Sequence, residues 1–344
     1  MNCYDGIHWN IYDILPYQRN FNLINSERSI GKTYTTQKFI TDKCIEKGCE
    51  FIYIVRTKTE RDRGVFADAY KKVIRNEFNN FSFEFTNENM YIEEDENKRL
   101  LGYCLALSDN VNTKKLSFPN VKYMIFDEYI VEESKGDRYF TGWKEPDALL
   151  RLYHTVDREE DRVILFMLAN TIKFQNPYHL HPAFKIPKIE KGKIWTSENV
   201  LFQYAEASKE LKEKKASSKF VRMIQDTDYG DYANGGIYSY DDYSMIAERT
   251  DFSKYILTLE YNGKSYGVWS DIKIGLIFID SKVDPSCIFR FALTVSDHKE
   301  NTLLTKSSTS THLKWLARNY KLGNVRYCTP EIKARLEQGL ALIL

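Results

Sequence analysis

The segment Ser26-Glu27-Arg28-Ser29-Ile30-Gly31-Lys32-Thr33 places a glycine, a lysine and a hydroxyl in succession between an apolar run and a helical pattern. This order is typical of a phosphate-binding loop of the Walker A type, where backbone N–H groups and the helix dipole attract phosphate oxygens. Gly31 lets the backbone approach closely, Lys32 supplies a point charge for the β- and γ-phosphates, and the Thr33 hydroxyl binds Mg²⁺. Ser26 stands where the first glycine is usual, so the strict pattern is broken.

A second segment has the Walker B form, an apolar run over residues 123–126 that ends in Asp127 and Glu128. Asp127 would position Mg²⁺ through water, and Glu128 would polarise the attacking water. A buried strand that ends in two solvated acids explains the same letters. The order of the two segments, with helical patterns between them, favours nucleotide binding.

Residues at the ends of other predicted elements are weaker candidates. Asn170 follows the apolar run 163–169, where it would contact the γ-phosphate or form a plain turn. Arg158 and Arg162 follow a helical pattern, where a guanidinium would stabilise phosphoryl charge in cis or from a neighbouring subunit, or serve as a surface cation. Further basic candidates are Arg28, Arg56 and Lys58.

The first two thirds of the chain predicts the scaffold that these residues need. Near-continuous apolar runs at 21–24, 51–55, 121–126 and 163–169 alternate with helical patterns at 32–47, 66–74 and 149–156. Short alternating segments at 81–107 predict an added β region. Such an alternation indicates an α/β fold with a mainly parallel sheet covered by helices on both faces.

The pattern changes after Pro177. A helix is predicted over 200–215, then strands over 255–261, 266–269, 275–280 and 289–295, with a hairpin turn at Asn262-Gly263. Two helices, 309–320 and 331–342, end the chain. We therefore expect a nucleotide-binding domain over 1–197, a helical linker over 198–228 and a smaller α+β domain over 229–344.

Composition excludes several classes of protein. The 344 residues are 43% hydrophobic and 28% charged, with a net charge of +1, which excludes a disordered chain and a global electrostatic field. The six cysteines show no zinc spacing, and no signal peptide or membrane-spanning run is visible. These features predict a cytoplasmic protein with reduced thiols.

The chain resembles the DNA-encapsidation ATPases of small podophages, which are terminase-like P-loop ATPases of the additional-strand, catalytic-glutamate class. The resemblance rests on residues 51–56, 118–130, 176–178, 261–269 and 279–280, and extends from about residue 15 to residue 340. It implies an ATP-hydrolysing homo-oligomeric ring, expected to have five subunits, that uses ATP and Mg²⁺. The ring would sit on the portal of a viral procapsid and pump double-stranded DNA. A structured packaging RNA is a partner in part of this group, and its use here stays open.

The resemblance also implies a location and residue roles. The protein would act in the host cytoplasm, transiently at the portal vertex, and be absent from the mature virion. Lys32, Glu128 and Arg158 would be catalytic, while Thr33 and Asp127 would hold the metal. Nucleotide-binding candidates are Ser26, Glu27, Arg28, Ser29, Ile30, Gly31, Lys32, Thr33 and Asn170. The resemblance implies action in trans for Arg158 and Lys58, and Arg56 is a further trans-acting candidate from its place after the second apolar run.

The C-terminal domain implied by the resemblance is a ribonuclease-H-like nuclease that has lost its activity. Its acids, Asp271, Asp280, Asp284 and Asp297, have no spacing that identifies a metal pair, which favours solvated turn acids.

The segment from residue 299 to residue 335 contains eight basic residues and only two acidic ones. The helical stripe Lys314, Arg318 and Lys321 would suit phosphate contacts of nucleic acid, or be a plain solvated face. The alternative functions are a nuclease or terminase-type DNA-processing protein and a non-catalytic adaptor that binds RNA or capsid.

Overall fold

The computed structural model describes residues 5–94, 97–109, 117–132, 138–171, 173–224, 227, 230, 244–305 and 310–340. The chain divides into two compact units, Met1–Tyr240 and Asp241–Leu344. The first unit includes the residues of the predicted linker, 198–228. The functional division at residues 197 and 228 stays a prediction.

The first unit is built around one sheet of nine strands. These are β1 (Phe21–Ser26), β2 (Glu50–Val55), β3 (Phe83–Phe85), β4 (Asn89–Glu94), β5 (Asn97–Ala106), β6 (Val121–Asp127), β7 (Ile164–Asn170), β8 (Ile194–Thr196) and β9 (Val200–Tyr204). Their order is β3-β4-β5-β2-β6-β7-β1-β9-β8. The strands from β5 to β9 in that order are parallel, and β3, β4 and β8 add antiparallel pairs at the two edges.

Helices cover both faces of this sheet. The described helices of this unit are α1 (Lys32–Lys47), α2 (Lys58–Asp62), α3 (Val65–Glu77), α4 (Glu145–Asp157), α5 (Lys209–Ala216) and α6 (Lys219–Ile224). Phe39 of α1 and Phe66 of α3 belong to one buried cluster, whereas Leu149 and Leu152 of α4 belong to another. Strands buried on both faces read as continuous apolar runs, and the predicted α/β architecture is confirmed.

The helix predicted over 200–215 is wrong in its first part. Residues Val200–Tyr204 form β9, which pairs in parallel with β1, and every side chain in it is buried. Periodicity alone does not separate a short, fully buried strand from a helix. The helix α5 begins at Lys209, because the Ser208 side chain caps it by accepting from the Leu211 N–H.

The second unit contains a six-stranded sheet. Its strands are β10 (Lys254–Tyr261), β11 (Lys264–Asp271), β12 (Leu276–Asp280), β13 (Arg290–Ala292), β14 (Leu303–Leu304) and β15 (Val325–Tyr327). Their order is β14-β13-β10-β11-β12-β15. The hairpin at Asn262-Gly263 is confirmed, with φ values of 50° and 75°. The strand predicted over 289–295 is confined to β13.

Helices α7 (Thr311–Lys321) and α8 (Pro330–Leu340) add Leu316 and Leu336 to the core of the second unit. The predicted helix limits at residues 309 and 342 lie outside the described residues. The assignment of this unit to a vestigial nuclease stays a prediction.

Candidate nucleotide site

The loop between β1 and α1 contains two residues with left-handed backbone. Gly31 caps α1 with a φ of 94°, and Ser29 has a φ of 61°. The φ of Gly31 strains any residue with a side chain, and a Cβ atom there would approach the Cβ atom of His8 closely, at 3.2 Å. The glycine predicted to allow a close backbone approach occupies a position that only glycine adopts without strain.

Lys32 is the first residue of α1 and is only 6% exposed. Its Nζ donates to the Ser26 Oγ at 2.6 Å and to the Asn170 Oδ1 at 3.5 Å. Burial lowers the pKa of Lys32 to about 8, and nearby Asp127 opposes that shift. Because both hydrogen-bond partners are neutral, the ammonium is poised to bind an anion. Ser26, which breaks the sequence pattern, is therefore a direct partner of the lysine.

Asp127 lies at the end of β6, near the Thr33 hydroxyl. Burial raises the pKa of Asp127 to about 6, while the nearby Thr33 hydroxyl opposes the rise. The two side chains predicted to hold a metal are thus adjacent, and hydroxyl and carboxylate oxygens suit Mg²⁺. Across the part of the chain that the structure describes, no three His, Cys, Asp or Glu side chains form a metal-binding group. A Mg²⁺ ion here would take its other ligands from phosphates and water, as this ion commonly does.

Glu128 is exposed and has a left-handed backbone with a φ of 56°. Its N–H donates to the Asp127 Oδ1 at 3.0 Å. The Arg56 guanidinium donates to the Glu128 and Tyr129 carbonyls at 3.2 Å and 3.0 Å. A non-glycine residue persists in this conformation only when its surroundings hold it. These contacts hold the backbone of Glu128 and therefore fix the position of its Cα atom.

Arg56 is itself held by a buried acid that the sequence analysis did not identify. Its Nε donates to both carboxylate oxygens of Glu145 at 3.1 Å, and the guanidinium lies 5.3 Å from the centre of the Phe126 ring. Glu145 is fully buried and also accepts from the Tyr178 hydroxyl at 2.7 Å. Because Arg56 is engaged within its own chain, the geometry favours a positioning role over the predicted trans-acting one.

Strand order brings Asn170 between the loop and the acids. The strand β7 lies between β1 and β6, and its register pairs Asn170 with Ser26 and Leu168 with Asp127. The carboxyl ends of parallel strands meet at one edge of a sheet, and the contact with Lys32 follows from that arrangement. The strand inserted between the Walker A and Walker B strands is the one that the resemblance implies.

Arg158 lies near the amino end of β7, whereas the phosphate loop is at the carboxyl ends of the strands. It is exposed, follows the last residue of α4, and has a φ of 56°. The strand β7 begins six residues later at Ile164 and ends at Asn170, so at about 3.3 Å per residue Arg158 is roughly 20 Å from the phosphate edge. Arg162 donates to the Val121 carbonyl at 2.5 Å and is engaged within the chain. Arg158 therefore cannot reach its own phosphate loop.

The remaining predicted residues lie in the phosphate loop or beside it. Lys58 begins α2 just after β2, and its exposed side chain lies at the carboxyl edge of the sheet. The Ile30 side chain is buried, and the Arg28 guanidinium donates to Glu132 at 2.7 Å. Glu27 is buried as well and accepts from Lys191 at 3.2 Å.

A cleft of about 520 Å³ runs along the outer side of the loop and α1. Its walls include Ser29 and Gly31 from the loop and Tyr34 from α1, together with His8 and Tyr12 from the preceding segment. A cleft of this size with mixed aromatic and polar walls suits a small organic group beside the phosphate loop.

A buried hydrogen-bond network links the ends of β1 and β6. The Tyr129 hydroxyl lies 2.6 Å from the Asn25 Oδ1 and 2.8 Å from the His179 Nε2. The other ring nitrogen of His179 lies 3.0 Å from the Phe174 carbonyl oxygen. Burial lowers the pKa of His179 to about 3, so the ring is neutral.

In the second unit, the predicted basic stripe is exposed on α7, opposite the buried Leu313 and Leu316; its members are Lys314, Arg318 and Lys321. The helix with one packed and one cationic face is confirmed. Nucleic-acid binding by this face stays a prediction.

The acids of the second unit bind local partners. Asp297 accepts from the N–H groups of Asn262 and Gly263 at 3.0 Å and 2.8 Å, and thereby holds the hairpin turn. Asp280 faces Arg249 at 3.6 Å, and Asp284 accepts from the Ser286 hydroxyl and N–H. Asp271 accepts from the Thr250 hydroxyl.

Among the described residues, no helix is both long and apolar enough to cross a membrane.

Comparison with known proteins identifies relatives over almost the whole chain. The family described as Podovirus DNA encapsidation protein (Gp16) matches residues 4–338. The DNA packaging proteins of Bacillus phages PZA and phi29 are each 29% identical over 326 residues, which cover 94% of this chain and 93% of theirs. A chain of the bacteriophage phi29 viral genome packaging motor assembly superposes with a TM-score of 0.72 at 28% identity, covering 98% of this chain and 100% of that one.

Proposed function

Because the chain belongs to the Podovirus DNA encapsidation protein (Gp16) family, and is thus a phage DNA-packaging protein, we propose that it is the ATP-hydrolysing subunit of a packaging motor. The motor would translocate double-stranded viral DNA through the portal into a procapsid. One observation carries the ATPase part of this proposal: the buried ammonium of Lys32 donates to Ser26 and Asn170 at the strand ends where Asp127 also lies.

The site residues divide the work of phosphoryl transfer between them. Lys32 leaves its neutral partners Ser26 and Asn170 to bind the β- and γ-phosphates, since an anion is the better partner for a buried ammonium. Thr33 would hold Mg²⁺ directly and Asp127 would hold it through water, and the ion would supply neutralisation of the phosphate charge. Glu128 orients and polarises the attacking water from a backbone fixed by Arg56.

The cleft beside the loop would hold the nucleoside. The side chains of His8, Tyr12 and Tyr34 offer aromatic surface to a base, while Ser29 and Gly31 join the cleft to the phosphate loop. This placement puts the triphosphate over the N-terminus of α1, where the helix dipole favours negative charge.

The site is completed by a neighbouring subunit in this proposal. Arg158 lies about 20 Å from its own phosphate loop by strand length, so a catalytic guanidinium at this position acts in trans. Lys58, exposed at the carboxyl edge of the sheet, is the second candidate at that interface. A closed ring, expected to have five subunits, gives every chain one such neighbour.

The partners follow from the same proposal. We assign residues 1–197 to the ATPase domain, 198–228 to the linker and 229–344 to a vestigial ribonuclease-H-like domain that contacts nucleic acid. The basic face of α7 would contact DNA phosphates without reading sequence, as a motor that packages a whole genome requires. The ring would assemble in the host cytoplasm at the portal vertex and leave before the virion matures, and a structured packaging RNA is a candidate component of it.

The direct test is ATP hydrolysis by the purified full-length chain, with and without duplex DNA and portal-bearing procapsids. The Glu128→Gln variant should bind ATP normally and lose turnover by at least about 100-fold, because it removes the base but keeps the fold. Glu190→Gln, also at an exposed position, is the matched control and should keep full activity. Turnover of Glu128→Gln at the wild-type rate would remove Glu128 from the mechanism. Absence of any ATP binding by the wild type would refute the proposal.

A further inference from the structure

A lysine outside the predicted nucleotide site contacts the phosphate loop. Lys215 lies near the end of α5, and its Nζ donates to the main-chain carbonyl oxygen of Arg28. Arg28 is in the middle of the loop, two residues after the end of β1. In the sequence, Lys215 belongs to a lysine-rich, mostly exposed helix, and nothing in its spacing separates it from its neighbours.

The contact fixes the direction of one peptide group. The peptide between Arg28 and Ser29 is trans, so its C=O and N–H point in opposite directions. With the carbonyl held toward α5 by Lys215, the Ser29 N–H is turned to the other side of the loop. We infer that Lys215 is a positioning residue that aims the Ser29 N–H at the nucleotide phosphates.

The need for such a restraint is local. Ser29 has a φ of 61°, a left-handed conformation that strains a residue with a Cβ atom. Gly31, two residues further on, adopts its left-handed cap conformation easily because it has no Cβ atom. Ser29 has a Cβ atom and needs a restraint from its surroundings. A charged donor on the preceding carbonyl is a stronger restraint than a neutral one, because charge-assisted hydrogen bonds are about twice as strong.

The surroundings keep Lys215 in place. Glu27 is 2% exposed and accepts from the Ala207 N–H at 2.9 Å and from Lys191 at 3.2 Å. Its carboxylate also attracts Lys215, which is half-buried and whose pKa is lowered by that burial. Residues between Lys191 and the end of α5 therefore form hydrogen bonds to both Glu27 and Arg28, in the first half of the loop. Lys215 also adds positive potential near Lys32.

This inference rests on the proposed ATP site, and its test separates the two. The full-length chain carries Lys215→Met, which removes the donor but keeps the aliphatic stem, and Lys215→Arg, which restores a donor. Lys212→Met is the matched control, since Lys212 is on the same helix and pairs with Glu206 at the surface. Affinities for ATP, ADP and adenosine are measured by calorimetry or by displacement of a fluorescent nucleotide, with the thermal midpoint of each nucleotide-free variant.

We expect Lys215→Met to bind ATP and ADP about tenfold more weakly, because a hydrogen bond to a charged group is lost. Adenosine, which has no phosphate, should bind to it as it does to the wild type. Lys215→Arg should regain most of the affinity, and Lys212→Met should match the wild type.

Several outcomes would overturn the inference. One is binding of ATP by Lys215→Met within twofold of the wild type, and another is an equal loss for adenosine, which would indicate general damage. Failure of Lys215→Arg to recover would show that packing, not donation, matters. If the wild type itself binds no ATP, the proposed function fails first. If Lys215→Met does not fold, Lys215→Gln takes its place; it loses the charge and the reach of the donor, and should weaken ATP binding but not adenosine binding.

Discussion

Acid should destabilise the first unit through one buried residue, His179. Its ring nitrogens face the Tyr129 hydroxyl and the Phe174 carbonyl, and burial lowers the pKa of His179 to about 3. In the unfolded chain the same ring takes up a proton near pH 6.5. Because the folded pKa is the lower one, the unfolded state binds the extra proton, and stability falls as the pH drops below about 6.5.

The size of the effect follows from those two pKa values. Each pH unit between them costs about 1.4 kcal/mol, so acidification from pH 7.5 to 5.0 should lower the free energy of unfolding by about 2 kcal/mol through His179 alone. The loss would continue until the pH approaches the folded pKa. Other groups titrate in the same range, so the comparison must be made between variants.

The assay is urea unfolding at pH 7.5 and 5.0 for the wild type and for His179→Gln. The variant has no ring to protonate, so its loss between the two pH values should be about 2 kcal/mol smaller. His154→Gln is the control, since the His154 side chain is 67% exposed, and it should follow the wild type. Equal pH losses for wild type and His179→Gln would refute the reasoning. Direct titration of the wild-type His179 ring by NMR gives an independent check, because the ring should stay neutral down to about pH 4.

Three further predictions concern other parts of the chain. Arg158→Ala subunits should lose at least about tenfold in ATP turnover, and mixing them with Glu128→Gln subunits should restore part of it; no recovery at any mixing ratio would contradict action in trans. Arg56→Met should lower the free energy of unfolding by about 3 kcal/mol in urea titrations, since it leaves the buried Glu145 carboxylate unpaired, and a loss below about 1 kcal/mol would argue against that pairing. Replacing the three cations of the α7 stripe with alanine should weaken duplex DNA binding and reduce the slope of log affinity against log salt by about 3, whereas an unchanged slope would exclude the stripe from the interface. The stripe consists of Lys314, Arg318 and Lys321.

The contact between the loop and the Walker B acid was predictable from the sequence. Lys32 and Thr33 follow one apolar run, and Asp127 ends another. Parallel strands end at a common edge, so their order along the chain was sufficient to expect these side chains together. The contact of Asn170 with Lys32 follows from the same rule.

The residues that hold the site in place were harder to find. Glu145 lies 89 positions from Arg56 in the chain, and no local pattern marks the two as a pair. Ser26 counted against the loop because a hydroxyl replaces a glycine, yet its Oγ accepts from Lys32 at 2.6 Å. Pairing across the fold decides both roles, and a short-range motif carries no information about it.

The strand β9 shows a different limit. Its five residues are all buried, and Gln203 is the one clearly polar side chain among them. The alternation of polar and apolar residues that marks a half-buried strand is therefore missing. The pairing with β1 replaced the predicted helix, because a free hydrogen-bonding edge of β1 was available to a short apolar segment.

The turn after α4 has a kinetic consequence. Arg158 and Asn170 stand at opposite ends of β7. Under the proposed arrangement in trans, a solitary chain would contain two half-sites, one for each of two neighbours. If the guanidinium serves the adjoining protomer, hydrolysis per chain should be negligible at high dilution and climb steeply as protomers associate. It should then level off once every loop has a neighbour, and an excess of loop-defective chains should poison the assembly in proportion to the number of junctions they occupy.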